Sequence, residues 1–160
     1  MSLTINSSAF ASNAAIPSLY TCEGKDVSPP LSWSGAPSAT KSFALIVDDP
    51  DAPDPSAPKM TWVHWVLYDI PATAVGLPEA VKSAALPPGT REGINDWKRT
   101  GYGGPCPPQG DKPHRYIFTV YALKVDKIDA DENSSAALVG FMINANRLDK
   151  ASLTATYGRK

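Results

Sequence analysis

Apolar positions along the chain fall into short runs punctuated by proline, glycine and aspartate, a spacing that predicts strands more than helices. Phe43 to Val47 is a run of strand formers ending at Asp48-Asp49-Pro50. Thr61 to Ile70 predicts a second strand, closed by Pro71. Arg115 to Val125 predicts a third. Its alternation puts Tyr116, Phe118, Val120 and Ala122 on one face and Ile117, Thr119, Tyr121 and Leu123 on the other. Both faces are largely apolar, so this strand is expected to be central and covered on both sides. Leu31 to Trp33 and Leu153 to Tyr157 are weaker strand candidates. A helix is predicted over Ser134 to Ala145, capped by Asp131, Asn133 or Ser134, with Ala137, Leu138, Phe141, Met142 and Ala145 as its apolar stripe. A shorter helix is weighed at Ala72 to Ser83, where Gly76 and Pro78 interrupt the pattern. Together these elements predict a mainly β chain: an antiparallel β-sandwich with one or two short peripheral helices near the C-terminus.

Composition sharpens that picture. Sixteen prolines in 160 residues are about twice the usual share, which favours strands and ordered loops over long helices. No repeat or low-complexity linker divides the chain, so residues 1–160 are expected to form one domain. A net charge of -1 offers no general basic surface for nucleic acid. No apolar run reaches the ~20 residues of a membrane span, and neither a basic nor an acyl-burying surface is visible for bilayer association. Cys22 and Cys106 form no CxxC motif, and with two histidines they make no convincing zinc site. They are expected to be unpaired thiols, with a disulfide as the alternative. Met1 to Phe10 shows no signal-peptide pattern, so the chain reads as cytoplasmic or as a mature form.

The candidate chemistry centres on the two histidines. His64 lies in Trp62-Val63-His64-Trp65, and a period of two puts Trp62, His64 and Val66 on one face. His114 follows a loop rich in glycine and proline and shares a face with Tyr116. The stretch Asp48-Asp49-Pro50-Asp51-Ala52-Pro53-Asp54 reads either as a solvated turn or as carboxylates that orient a histidine or meet a cation. It lacks the spacing and terminal Glu of an EF-hand, no GxSxG is present, and Gly103-Gly104 has no following Lys-Ser/Thr for a P-loop.

These residues carry a resemblance. Asp49-Pro50-Asp51-Ala52-Pro53 followed by Trp62-Val63-His64-Trp65 resembles the first signature block of the phosphatidylethanolamine-binding protein (PEBP) family. Gly104-Pro105-Cys106-Pro107-Pro108-Gln109-Gly110 followed by His114-Arg115-Tyr116 resembles the second. Gly93 to Trp97, Tyr102 to Pro105 and Tyr157-Gly158-Arg159 resemble the bacterial, Raf-kinase-inhibitor-like branch. The resemblance implies a β-sandwich with a small preformed anion pocket formed by Asp49, Asp51, Trp62, His64, Gly104, Pro105, His114 and Tyr116, with Pro107 and Pro108 next along the loop. It departs from some eukaryotic members at Val63, where they carry a second histidine, and in the loop containing Cys106 and Asp111-Lys112-Pro113.

Phosphate oxygens need donors, which imidazole N–H, phenol O–H and loop backbone N–H groups supply. Arg115 should point away from His114 and Tyr116 and hold the acidic loop through a carboxylate. The implied function is a binding or regulatory protein for a phosphorylated small molecule, a lipid headgroup or a phospho-residue, including kinase-inhibitor-like modulation of a protein partner. It needs no cofactor and no metal and is compatible with a homodimer. A scaffold whose pocket is a relic is a second reading. The enzymatic alternative is a hydrolase or lyase using His64 and Asp51 as acid and base.

Overall fold

The computed structural model describes residues 2–160. Eight strands and one helix follow in the order β1 (Thr4–Asn6), β2 (Leu31–Ser34), β3 (Ser42–Ala52), β4 (Met60–Pro71), β5 (Gly76–Leu77), β6 (Arg91–Glu92), β7 (His114–Leu123), α1 (Ala136–Ala145) and β8 (Arg147–Tyr157). β1, β2 and β5 form a small antiparallel sheet; β6-β4-β3-β7-β8 form a larger one, also antiparallel. Ile5, Leu31 and Trp33 of the small sheet, with Leu3 just before it, pack against Phe43, Leu45, Phe118 and Val120 of the large one. The reverse face of the large sheet buries Ala44, Val66, Tyr68 and Leu123 under Val139 and Ile143 of α1. The architecture is therefore a sandwich with a helix on its outer side, and β7 is an interior strand apolar on both faces, as its alternation predicts.

Several local expectations change. The acidic stretch is not a free turn: β3 continues through Asp48, Asp49 and Asp51 to Ala52. Ala72 to Ser83 holds no helix, only short β5 and the start of a 3-10 turn at Ser83–Ala85. The cap of α1 is Ser135, whose hydroxyl accepts the Leu138 N–H at 3.1 Å. Its buried face is Val139 and Ile143, while Leu138 and Phe141 of the expected stripe face solvent. Two interleaved apolar stripes compete on this helix, and period alone does not choose between them.

Irregularities in pairing decide which way the site residues point. Asp48 pairs with Val63 and Val47 with Trp65, so His64 is an extra residue on β4. Such a bulge resets the alternation. Trp62 and His64 reach one cavity, but Val66 turns to the α1 side with Val63, contrary to a strict period of two.

Asp48 points away from that cavity, toward Tyr121. Burial, then the charge of Asp49, push its carboxyl up to about 6. The folded value exceeds the unfolded one, so this contribution is present below the unfolded pKa and lost as pH rises through about 6. Asp48→Asn is expected to stabilise the protein by about 1–3 kcal/mol above that range. Urea melts of both proteins check it: the gap opens near neutral pH and closes in acid.

Candidate functional site

Three strand ends converge at one end of the large sheet. β3 delivers Asp49, β4 delivers Trp62 and His64, and β7 begins with His114 and Tyr116. Between and above them lies a cavity of about 410 Å³. Its polar lining is Asp49, His64, His114 and Tyr116; Met60, Trp62, Trp97, Pro53, Pro107 and Pro108 supply apolar wall.

The wall is built by the long connection from β6 to β7. Buried Asn95 folds its first part, donating from its side-chain amide to Gly101 O at 3.0 Å and accepting the Trp97 N–H at 2.9 Å. Asp96 ties this loop to β4 by accepting the Val63 N–H at 2.6 Å. Trp97 then stands edge-on to His64, with centroids 4.9 Å apart, and to Trp62 at 5.7 Å. Gly103 makes that packing possible: a Cβ there would lie 2.2 Å from the Trp97 ring. At Gly104 a Cβ would come within 2.3 Å of Tyr20 O, and its N–H donates to Asp26 at 2.7 Å.

A disulfide fixes the second part of the connection. Cys22 and Cys106 are bonded, with Cα atoms 5.4 Å apart across a sequence separation of 84. This corrects the expectation of unpaired thiols: spacing says nothing about two cysteines that the fold brings together. The Cys22 N–H also donates to Pro105 O at 3.1 Å, and Arg159 Nε donates to Pro107 O at 2.6 Å.

The two imidazoles are in different electrostatic states. His64 Nδ1 lies 2.7 Å from Gly103 O, an arrangement that makes Nδ1 the N–H donor and leaves Nε2 without a hydrogen-bond partner among the described residues. Burial holds this ring below the usual imidazole value, outweighing the hydrogen bond and nearby carboxylates. His114 has a carboxylate on each nitrogen, Asp49 on Nδ1 at 2.7 Å and Asp111 on Nε2 at 3.0 Å. Burial pulls it down, but the bonds to Asp111 and Asp49 raise it overall, so His114 is the imidazolium of the pair. Tyr116 lies edge-on to His64 at 5.3 Å and stacks on His114 at 6.4 Å. Burial, then Asp49, push its phenol far up, so it is a neutral O–H.

Of the residues expected from sequence, Asp49, Trp62, His64, His114 and Tyr116 meet at the cavity. Asp51, Gly104 and Pro105 do not line it. Asp51 turns to Arg115, which donates from Nε and Nη2 at 3.0 and 2.8 Å and from its backbone N–H at 2.9 Å. That bond lowers the Asp51 pKa and is the carboxylate pair expected of Arg115. The His64–Asp51 acid–base pair is therefore not assembled. Gly104 and Pro105 support the loop from behind. Met60 and Trp97 line the cavity and Asp111 touches His114 from outside that lining, and none of the three is an expected site residue; Trp97 and Asp111 carry a signal only as members of segments the resemblance covers.

With this geometry in view, comparison with known proteins is decisive. The family model for phosphatidylethanolamine-binding protein matches residues 6–158. This chain belongs to the PEBP family. The UPF0098 protein YbcL of Escherichia coli K12 is 50% identical over 141 residues, covering 86% of this chain and 75% of YbcL. A UPF0098 protein of Aquifex aeolicus is 42% identical over 157 residues, covering 98% and 89%. The crystal structure of E. coli YbcL, described as a member of the mammalian PEBP family, superposes with a TM-score of 0.92 at 43% identity over 100% of both chains. A PEBP homologue of Chlamydia trachomatis gives 0.87 at 33% identity, over 99% of each chain. The PEBP fold, mostly β with two antiparallel sheets and a helix near the C-terminus, is thus shared, and the chain is a binding-type protein. Among the described residues, no helix is long and apolar enough to cross a membrane.

Proposed function

We propose that residues 1–160 act as one domain that binds, without turnover, the phosphate-bearing end of a small ligand such as a lipid headgroup or phosphorylated metabolite. The observation that carries this reading is the cavity's composition: an imidazolium, an imidazole nitrogen without a partner among the described residues and a neutral phenol at the base of apolar walls. The Tyr116 O–H donates to a phosphate oxygen. His64 Nε2 accepts from a phosphate P–O–H or takes a proton and donates to the dianion. An ammonium on the same ligand finds the faces of Trp62 and Trp97 and the charge of Asp49. The exposed disulfide fits a compartment that keeps thiols oxidised better than the cytoplasm suggested by the N-terminus.

Calorimetric titration with O-phosphorylethanolamine, inorganic phosphate and ethanolamine tests the reading. The two phosphates bind saturably, ethanolamine alone does not, and His64→Ala weakens binding about tenfold or more. Release of inorganic phosphate from O-phosphorylethanolamine, or equal affinity of wild type and His64→Ala, contradicts it.

A further inference from the structure

His114 presents a difficulty for an anion site: neither of its ring nitrogens is free. Asp49 holds Nδ1 and Asp111 holds Nε2. With the ring protonated and both carboxylates ionised, the trio carries a net negative charge, which repels an incoming phosphate.

The two carboxylates are not held alike. Asp49 is in β3, 4% exposed, and its second oxygen accepts the Asp51 N–H at 2.7 Å. It cannot leave without undoing the strand end. Asp111 lies in the loop before β7, and His114 is the sole hydrogen-bond partner of its carboxylate among the described residues. That loop turns at Gly110, with φ at +88°, and Lys112 and Pro113 beside Asp111 are exposed. Its backbone is tied back through Gly110 N–H to Arg159 O at 3.0 Å. The side chain can swing out while the loop keeps its anchor.

We propose that Asp111 is a resident anion: its carboxylate occupies the Nε2–H that His114 offers a phosphate, and ligand and Asp111 compete for that one donor. This inference rests on the cavity being an anion site, and it makes Asp111 the residue that sets how strong an anion is needed to enter. A doubly charged phosphate displaces the carboxylate, while a singly charged carboxylate ligand gains little over the one already there. The competitor is covalently attached, so it acts at an effective concentration fixed by a short loop and weakens by one constant factor the apparent affinity of any anion that needs this donor.

The test is a titration of wild type, Asp111→Asn and Asp111→Ala with O-phosphorylethanolamine at about pH 6.5, where a phosphate monoester is mostly doubly charged, reading the imidazole carbon-bound protons of His64 and His114 by NMR. In the variants Asp49 remains on Nδ1 and favours the protonated ring. The expected result is an affinity for O-phosphorylethanolamine about tenfold higher in Asp111→Ala and a smaller gain in Asp111→Asn, which keeps an acceptor but loses the charge. Without ligand, the His114 pKa falls in both variants and the His64 pKa hardly moves. If wild type binds O-phosphorylethanolamine and neither variant binds it more tightly, the competition is wrong and the anion site stands. If the His114 pKa is unchanged by Asp111→Ala, the contact is absent in solution and the proposal is overturned. If neither wild type nor variant binds O-phosphorylethanolamine, the anion site itself fails, and this proposal with it.

Discussion

Asp49→Ala is expected to lower stability by about 3–5 kcal/mol and to abolish ligand binding. Both carboxylate oxygens of Asp49 are engaged, one by the buried His114 ring and one by the Asp51 N–H, each at 2.7 Å. Truncation strands a buried donor at Asp51 and leaves the imidazolium with Asp111 alone. Asp49→Asn keeps an acceptor for one of these groups and should cost only about 1–2 kcal/mol. The pH dependence has a definite sign. The folded pKa of His114 is raised, so the stability it contributes is present below the unfolded imidazole value and lost as pH rises through the folded one. The Asp49→Ala penalty is therefore larger in mildly acidic solution than in mildly basic solution. Urea unfolding at two such pH values measures it; a loss under about 1 kcal/mol at both would mean the pair is not formed.

Removing the disulfide is the second large effect. Joining Cys22 to Cys106 closes a separation of 84 residues, for which the chain-entropy argument gives about 4.5 kcal/mol. Loop tethers that remain, from Cys22 N–H to Pro105 O and from Arg159 to Pro107 O, do not replace that covalent closure. Cys22→Ser with Cys106→Ser should lower the melting temperature by about 10 °C in a chain of this size. Ligand binding weakens but persists, because the Asp49, His64, His114 and Tyr116 positions are set by strands. Both cysteines are exposed, so a thiol reductant should reproduce the shift in the wild type. A melting temperature indifferent to reductant, with two thiols titrated as free, would contradict the bond.

Much of this molecule could be read from the chain, and the unread parts share a cause. The alternation of β7 gave its two faces correctly because a regular strand maps sequence onto space with period two. His114, Tyr116 and Arg115 were placed by the same rule. It failed at His64, where one extra residue in β4 flips Val66, since a bulge leaves no mark in composition. A strict period of two would keep Asp51 on one face with Asp49, but β3 loses register between Asp49 and Ala52, and Asp51 turns to Arg115 instead. Trp97 and the cysteine pair are joined to the site only by loop closure, which no local pattern encodes. In α1, exposed Leu138 and Phe141 carry the same hydrophobic signal as buried Val139 and Ile143, so period alone selected the wrong stripe.

The central claim is that His64 and His114 serve one anion cavity. The most direct measurement is a titration of the wild-type protein with O-phosphorylethanolamine, followed on both imidazole rings by NMR, with His64→Ala as control. The account predicts that both rings shift along one saturation curve, and that the His114 response weakens sharply in the folded His64→Ala protein. Two rings that stay still at millimolar ligand, or that move on unrelated curves, would contradict it.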